Sequence, residues 1–266
     1  MPDYFSGKTI LITGASSGIG KALAEAMAGN NVKLILTARR MDELKSLSVL
    51  CNSKGAACFN YFLDAGDSNS IEQFSVSVKS NFNKIDILIN NAGISQRSLA
   101  EETILQVDRK MMEINFFGPV HLTKALFPLL LKSDNAQVIL MSSLTGTFGY
   151  PLRSAYAASK HAIEGFFESW RLENKHSNVS FTIIAPGRIF TNISYAALTK
   201  DGSPHQLLDE GQAKGIKVEV CAQKIVKAIK NKKRKIYIIQ NEWVLLFLYK
   251  YIHPLFDYLI KKLNLK

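Results

Sequence analysis

Hydrophobic and polar positions along the chain follow two periods in turn. Short apolar runs at Thr9–Thr13, Lys33–Thr37, Ala57–Phe62, Ile85–Asn90, Gln137–Ser142, Ser180–Ala185 and Lys235–Ile239 alternate with stretches of helical period around 19–29, 41–54, 69–82, 104–132, 155–176 and 219–231. Strands alternating with amphipathic helices predict βαβ units and a parallel sheet. Several runs are apolar without alternation, as strands covered by helices on both faces must be. The pattern predicts one α/β domain, doubly wound around a seven-stranded parallel sheet, over residues 1–240, followed by an extra helical segment at 241–266. Residues 188–217 carry Gly202, Pro204, Gly211 and Gly215 with little period and predict a long loop or mobile lid.

The C-terminal stretch EWVLLFLYKYIHPLFDYLIKKL is apolar but interrupted by Lys250, His253, Pro254 and Asp257. A membrane span needs about 20 mainly apolar residues, so none is expected here. Pro254 predicts two helices rather than one. The basic run KNKKRK at Lys230–Lys235 precedes the stretch, and Lys261, Lys262 and Lys266 close it. Aromatic and leucine residues beside lysines suit a helix lying in a membrane interface. An oligomer interface or a flap over an active site fits the same residues.

Composition narrows the classes. The chain of 266 residues is long enough to bury a substantial core, and 47% hydrophobic with 21% charged residues excludes a disordered or fibrous protein. Charge is less ordinary: 33 Lys+Arg against 22 Asp+Glu give a net +11, which favours nucleic acid, phosphorylated cofactors or anionic lipid as partners. No nucleic-acid motif is present and no aromatic interrupts the basic run, so no nucleic-acid partner is expected. Cys51, Cys58 and Cys221 lack metal-ligand spacing, and an odd count argues against a disulfide framework. The histidines His121, His161, His176, His205 and His253 form no cluster, so no metal site is expected. Residues 1–7 do not read as a signal peptide. The expected location is the cytoplasm, with peripheral membrane contact through 242–266 left open.

The first strand runs into Gly14-Ala-Ser-Ser-Gly18-Ile-Gly20 and then a helical stretch. Glycines at a strand-to-helix turn let backbone approach a pyrophosphate, and the helix N-terminus offers free N–H groups. The spacing is neither GxGxxG nor that of a P-loop, which would need Gly at Ala15 and Ser or Thr at Ala22. A turn built only for tight packing is the alternative. Nucleotide-binding folds that use NAD place an acid after the second strand to hold the ribose 2′-hydroxyl. Here Ala38 is followed by Arg39 and Arg40, whose forks of donors suit a 2′-phosphate, so NADP is favoured over NAD.

Tyr followed four residues later by Lys occurs at Tyr4/Lys8, Tyr156/Lys160 and Tyr258/Lys262. Tyr and Lys at that spacing share a helix face, and a cation there lowers a phenol pKa that is otherwise near 10. Only Tyr156 has a serine, Ser143, thirteen residues before it. That hydroxyl can hold a carbonyl or a developing alkoxide.

Taken in order, TGASSGIG at 13–20, NNAG at 90–93, Asn115 in MEINFFG, Ser143 in LMSSLTG, YAASK at 156–160 and PGRIFT at 186–191 resemble the short-chain dehydrogenase/reductase family, with its Rossmann fold, over roughly residues 7–240. The resemblance implies that Tyr156 is the general acid, that Lys160 lowers its pKa and binds the nicotinamide ribose, that Ser143 holds the carbonyl and that Asn115 holds a relay water. It implies a cofactor site of Gly14, Ser16, Ser17, Gly18, Ile19, Gly20, Arg39, Arg40, Asp64, Asn91, Ala92, Gly93, Pro186, Gly187, Ile189 and Thr191, with Asp64 at the adenine. Family members using NADP often carry a basic residue at position 17, where this chain has Ser17. The branch it resembles contains steroid dehydrogenases, lipid ketone reductases and membrane-associated dehydrogenase/reductases, the last proposed to reduce acyl- or alkyl-dihydroxyacetone phosphate. That implies a lipophilic ketone or aldehyde, a pocket of Ile94, Ser95, Leu144, Tyr150, Phe190, Tyr195 and Leu198, and a homodimer or homotetramer paired through 104–132 and 155–176. A non-catalytic NADP sensor is the alternative function.

Overall fold

A computed structural model describes residues 4–174, 178–207 and 210–264, so His176 and Lys266 lie outside it. The apolar runs form β1 (Thr9–Thr13), β2 (Lys33–Ala38), β3 (Ala57–Phe62), β4 (Ile87–Asn90), β5 (Ala136–Met141), β6 (Val179–Pro186) and β7 (Lys235–Ile238). They pair in parallel in the order β3-β2-β1-β4-β5-β6-β7. The order reverses between β1 and β4, and in open α/β sheets the crevice outside the strand ends at such a switch point binds the ligand.

Between the strands lie α1 (Gly18–Met27), α2 (Met41–Ser53), α3 (Ser68–Asn81), α4 (Leu105–Leu131), α5 (Ser154–Glu173), the short α6 (Glu210–Ala213) and α7 (Val218–Lys230). Alternate side chains of each strand point to opposite faces. Ile10 and Ile12 accordingly pack with Leu23 of α1, Leu44 of α2 and Ile225 of α7, while Leu11 packs with Phe74 of α3, Leu126 of α4 and Phe167 of α5. Both faces of the sheet are covered, which is why its strands lack alternation.

Two features differ from the sequence pattern, each with a physical cause. The fourth strand begins at Ile87 rather than Ile85, because buried Asp86 turns inward. Its carboxylate accepts from Thr9 N at 2.8 Å and Ser133 Oγ at 2.6 Å and pairs with Lys84 at 3.0 Å. These partners hold its pKa below the usual carboxylate range against the opposing effect of burial, the largest single influence on it. The helical stretch at 104–132 is continuous, but a π-turn at Glu113–Phe117 widens it in the middle. By length and composition α4 could cross a membrane, yet 56% of its apolar window is buried, as in a core helix. The segment expected as a long loop or mobile lid is tethered at several described residues. Leu198 N donates to Ser95 O at 2.8 Å, Ile189 bridges to Ile216, and the Asp201 carboxylate ties Thr199 to Ser203 at 2.7 Å each.

The extension forms α8 (Trp243–Tyr251) and α9 (His253–Asn264), broken at Ile252. Pro254 sits in the first turn of α9, where its missing N–H has no intrahelical role. Leu248, Phe256 and Ile260 pack onto Leu144 and Phe148, the segment just after Ser143. Their opposite side leaves Trp243, Phe247, Tyr251, Leu255 and Tyr258 exposed.

Candidate active site

The glycine turn is held by the residues just after β4 and by the Thr13 side chain at the end of β1. Asn91 Nδ2 donates to Thr13 O at 2.9 Å and Gly14 O at 3.2 Å, and the N–H groups of Asn91 and Ala92 both donate to Thr13 Oγ1 at 2.9 Å. Gly14 has φ +65°, and a Cβ there would lie 2.9 Å from Ala92 Cα; one on Gly20 would strike the Gly14 carbonyl and Asn91. Gly14 and Gly20 are thus demanded by packing, as the alternative reading of the motif had it. Packing does not account for the helix start. Ser17 makes no side-chain cap, so the first N–H groups of α1 open onto the loop. Thr191 lies beside Gly18, 3.5 Å from where its Cβ would stand.

The two arginines after β2 separate. Arg40 Nη2 donates to Ser16 Oγ at 3.0 Å and Ser17 Oγ at 2.8 Å, over the glycine turn. Arg39 instead reaches Asp64, 4.0 Å away, whose other oxygen accepts from Gly66 N at 3.0 Å. The cation above the loop is Arg40, with Arg39 turned toward Asp64.

Of the Tyr/Lys pairs, only one is buried. Lys8 stands over the Tyr4 ring at 5.0 Å and Lys262 over the exposed Tyr258 at 5.8 Å, whereas Tyr156 is 9% and Lys160 5% exposed. The Tyr156 ring packs among Val107, Met111, Ala155 and Leu198. Ser143 stands near enough to its hydroxyl to act on the phenol's pKa. Lys160 Nζ donates to Met141 O at 2.8 Å and lies 5.7 Å from the Tyr156 ring centroid.

The electrostatics differ from expectation. Burial raises the Tyr156 pKa above its ordinary value, and the lowering influences are Ser143 and Arg153, not Lys160. Burial also lowers Lys160, to about 8, opposed by the charge of Glu164. Desolvation outweighs the helix-face neighbour for both groups, because each is enclosed and no direct ion pair joins them.

The π-turn in α4 aims Asn115 at this cluster. Its Oδ1 accepts from Ile94 N at 2.9 Å, and its Nδ2 donates to Ile94 O at 3.0 Å and Ser159 Oγ at 3.1 Å. A Cβ on Gly93 would stand 3.0 Å from Asn115 Oδ1 and 3.6 Å from Lys160 Nζ. Ser143, Tyr156, Lys160, Asn115 and the glycine turn are thereby brought to the same end of the sheet. Ser95 is not free to line a pocket, since Arg153 donates to it and Leu198 is bonded to its carbonyl.

Sequence reasoning passed over Gln96. Fully buried, its Oε1 accepts from Ala155 N at 2.9 Å and Tyr156 N at 3.3 Å, so a residue about 60 positions away caps the helix that carries Tyr156. Nothing in a stretch without period marks such a cap. Gln96→Leu is expected to leave two N–H groups unsatisfied and to lower stability by about 2–4 kcal/mol. Urea unfolding measures it; a loss below about 1 kcal/mol would mean that the cap is dispensable.

The basic run is largely consumed internally. Lys235 pairs with Glu164 at 2.6 Å, Arg234 with Glu168 at 3.1 Å, and Lys232 donates to Asn135.

The short chain dehydrogenase family profile matches residues 8–202. "Dehydrogenase/reductase SDR family member 7B" of Rattus norvegicus is 40% identical over 242 residues, 88% of this chain and 74% of that protein. "Dehydrogenase/reductase SDR family protein 7-like" of Drosophila melanogaster is 38% identical over 252 residues, 93% and 77% of the two chains. Among solved structures, an alcohol dehydrogenase from Thermococcus sibiricus complexed with 5-hydroxy-NADP superposes with TM-score 0.76 at 26% identity over 87% of this chain and 95% of that one. A short-chain dehydrogenase/reductase from Burkholderia phymatum in complex with NAD gives 0.79 at 22%, over 93% of each, a likeness of fold.

Proposed function

The chain belongs to the short-chain dehydrogenase/reductase family, and from that premise we propose that it is an NADP(H)-dependent oxidoreductase interconverting a lipophilic ketone or aldehyde and its alcohol. Residues 1–240 form the cofactor-binding and catalytic domain in this reading, and 241–266 an extension over the substrate side. The observation that carries it is the Ser143–Tyr156–Lys160–Asn115 cluster beside the glycine turn, with Tyr156, Lys160 and Asn115 buried.

The uncapped start of α1 fits a pyrophosphate, and Arg40 fits a 2′-phosphate. Asp64, Asn91, Ala92 and Thr191 flank the remainder of the nucleotide. The nicotinamide, when bound, supplies or takes the hydride. The chain's own residues handle the oxygen: Ser143 donates to it, and Tyr156 Oη gives it a proton. A phenol whose pKa is raised stays protonated at neutral pH, which suits the acid of a reduction. Oxidation of the alcohol needs the phenolate and is expected to require alkaline pH. Lys160 and Asn115 stand behind the phenol, where a proton is returned from solvent.

Leu144 and Tyr150 beside α8 and α9 support an apolar substrate. The exposed aromatic side of those helices, with Lys250 and Lys261 nearby, supports peripheral contact with anionic lipid. A Trp243→Glu/Tyr258→Glu variant should lose co-sedimentation with phosphatidylserine vesicles that the parent chain shows; failure of the parent to pellet ends the membrane reading. Exposed Leu105, Phe117, Leu131 and Leu172 on α4 and α5 support a homodimer or homotetramer through those helices.

The test of function is NADPH oxidation over lipid ketones, steroids and small carbonyls, with NADH alongside. Binding of NADPH without oxidation by any carbonyl would favour the non-catalytic sensor.

A further inference from the structure

We infer that Glu164 is a positioning residue of this site: its carboxylate clamps the end of β5 against α5 and balances the charge around Lys160. The inference rests on the roles proposed for Ser143, Tyr156 and Lys160.

Tyr156, Lys160 and Glu164 follow at intervals of four on α5 and so share one face. Glu164 is 8% exposed and uses both oxygens: Oε1 accepts from Ser142 Oγ at 2.6 Å, and Oε2 pairs with Lys235 Nζ at 2.6 Å. One turn earlier, Lys160 Nζ donates to Met141 O at 2.8 Å. Helix α5 therefore grips Met141 and Ser142, two consecutive residues at the end of β5, and the next residue is Ser143. The turn after Ser143 closes on the clamp. A Cβ at Gly146 would come within 2.5 Å of Ser142 Oγ, 2.7 Å of Glu164 Oε1 and 3.1 Å of Lys160 O. Anything that loosens Glu164 loosens the serine that must meet the carbonyl.

The charge argument uses every element around Lys160. Tyr156 and Glu164 flank it on α5, Arg153 stands over Tyr156 at the start of that helix, and Asn115 faces it from α4 across Gly93. From β7 come Lys235 and, beside it, Tyr237. The adjoining Arg234–Glu168 pair lies on the exposed side. Among the described residues, Glu164 is the carboxylate whose charge acts on Lys160. A buried ion pair is weak evidence for a stabilising role, since desolvation offsets attraction. A carboxylate that also holds the strand end and opposes the desolvation of a neighbouring lysine has a reason to be there.

The signs follow. Burial holds Lys160 near 8 while Glu164 opposes the fall. Glu164→Gln keeps the shape and the acceptor for Ser142 but removes the charge, so the Lys160 cation is lost at lower pH. Lys235→Met leaves Glu164 negative and unopposed, so the cation persists to higher pH. Ser142→Ala breaks the clamp without changing charge.

The test titrates the Lys160 ammonium by NMR in [15N]lysine-labelled protein without cofactor, and measures NADPH oxidation by 9,10-phenanthrenequinone across pH. Expected are a Lys160 midpoint about one unit lower in Glu164→Gln, higher in Lys235→Met and unchanged in Ser142→Ala. The alkaline limb of the rate should move likewise, and Ser142→Ala should lower kcat severalfold without moving it. Glu164→Asp, which keeps the charge, leaves the midpoint near the parent value, and Lys235→Met carries the test if Glu164→Gln does not fold. Midpoints equal in all variants, or shifted the same way by Glu164→Gln and Lys235→Met, overturn the inference. A parent chain that reduces no carbonyl while the midpoints move as stated overturns the proposed activity and leaves the charge balance supported.

Discussion

Tyr156→Phe is expected to cut carbonyl reduction by about 10²–10⁴-fold, the usual contribution of general acid catalysis, while NADPH still binds. The substitution removes one oxygen and little else. The ring sits among Val107, Met111, Ala155 and Leu198, contacts that phenylalanine retains. Ser143 keeps the Thr145 N–H at 3.3 Å, so the turn that carries it stays capped. The fold should be nearly as stable as the parent, and the loss should appear in kcat. Steady-state NADPH oxidation with a fluorescence titration of NADPH separates the two effects. Turnover within a few-fold of the parent would remove Tyr156 from the acid role.

Arg40→Glu is expected to reverse cofactor preference. The guanidinium lies over the phosphate loop, bonded to Ser16 and Ser17, while Arg39 is drawn to Asp64. Charge-assisted hydrogen bonds contribute about 1.5–3 kcal/mol each, so losing two and adding a like charge should weaken NADPH about a hundredfold or more. NADH should bind as well or better, because a carboxylate after β2 can accept from a ribose 2′-hydroxyl. The helix should tolerate the change: Arg40 is the N-cap of α2, where negative charge is favourable. Dissociation constants for both nucleotides decide the matter. An unchanged NADPH/NADH ratio would shift the 2′-phosphate role to Arg39 or end the NADP reading.

The elements were legible because their signals are local. Uniformly apolar runs predicted strands buried on both faces, and each β-strand lies within two residues of its expected bounds. The break at Pro254 was equally local. Where boundaries moved, a long-range partner moved them, as Asp86 shows with Thr9 and Ser133. The segment after β6, expected as a long loop or mobile lid, is a loop tied down by partners that local pattern does not show. Its order comes from Ser95 and Ile216, distant in sequence, and low periodicity alone cannot tell a tethered loop from a free one. Gln96 and Glu164 escaped notice because a cap or a clamp is defined by its partners.

The sequence by itself determined the doubly wound sheet, the glycine turn and the family, and singled out Ser143, Tyr156 and Lys160 as the proposed catalytic residues, since periodicity and ordered motifs are properties of neighbours along the chain. It could not decide which arginine stands over the phosphate loop, or in which direction the Tyr156 pKa moves. Tertiary structure decided those. Arg40 reaches the loop through its bonds to Ser16 and Ser17 while Arg39 lies toward Asp64, and the phenol rises because desolvation outweighs the lowering influence of Ser143 and Arg153. Burial and long-range charge are set by what packs around a residue, and that appears only when the chain has folded.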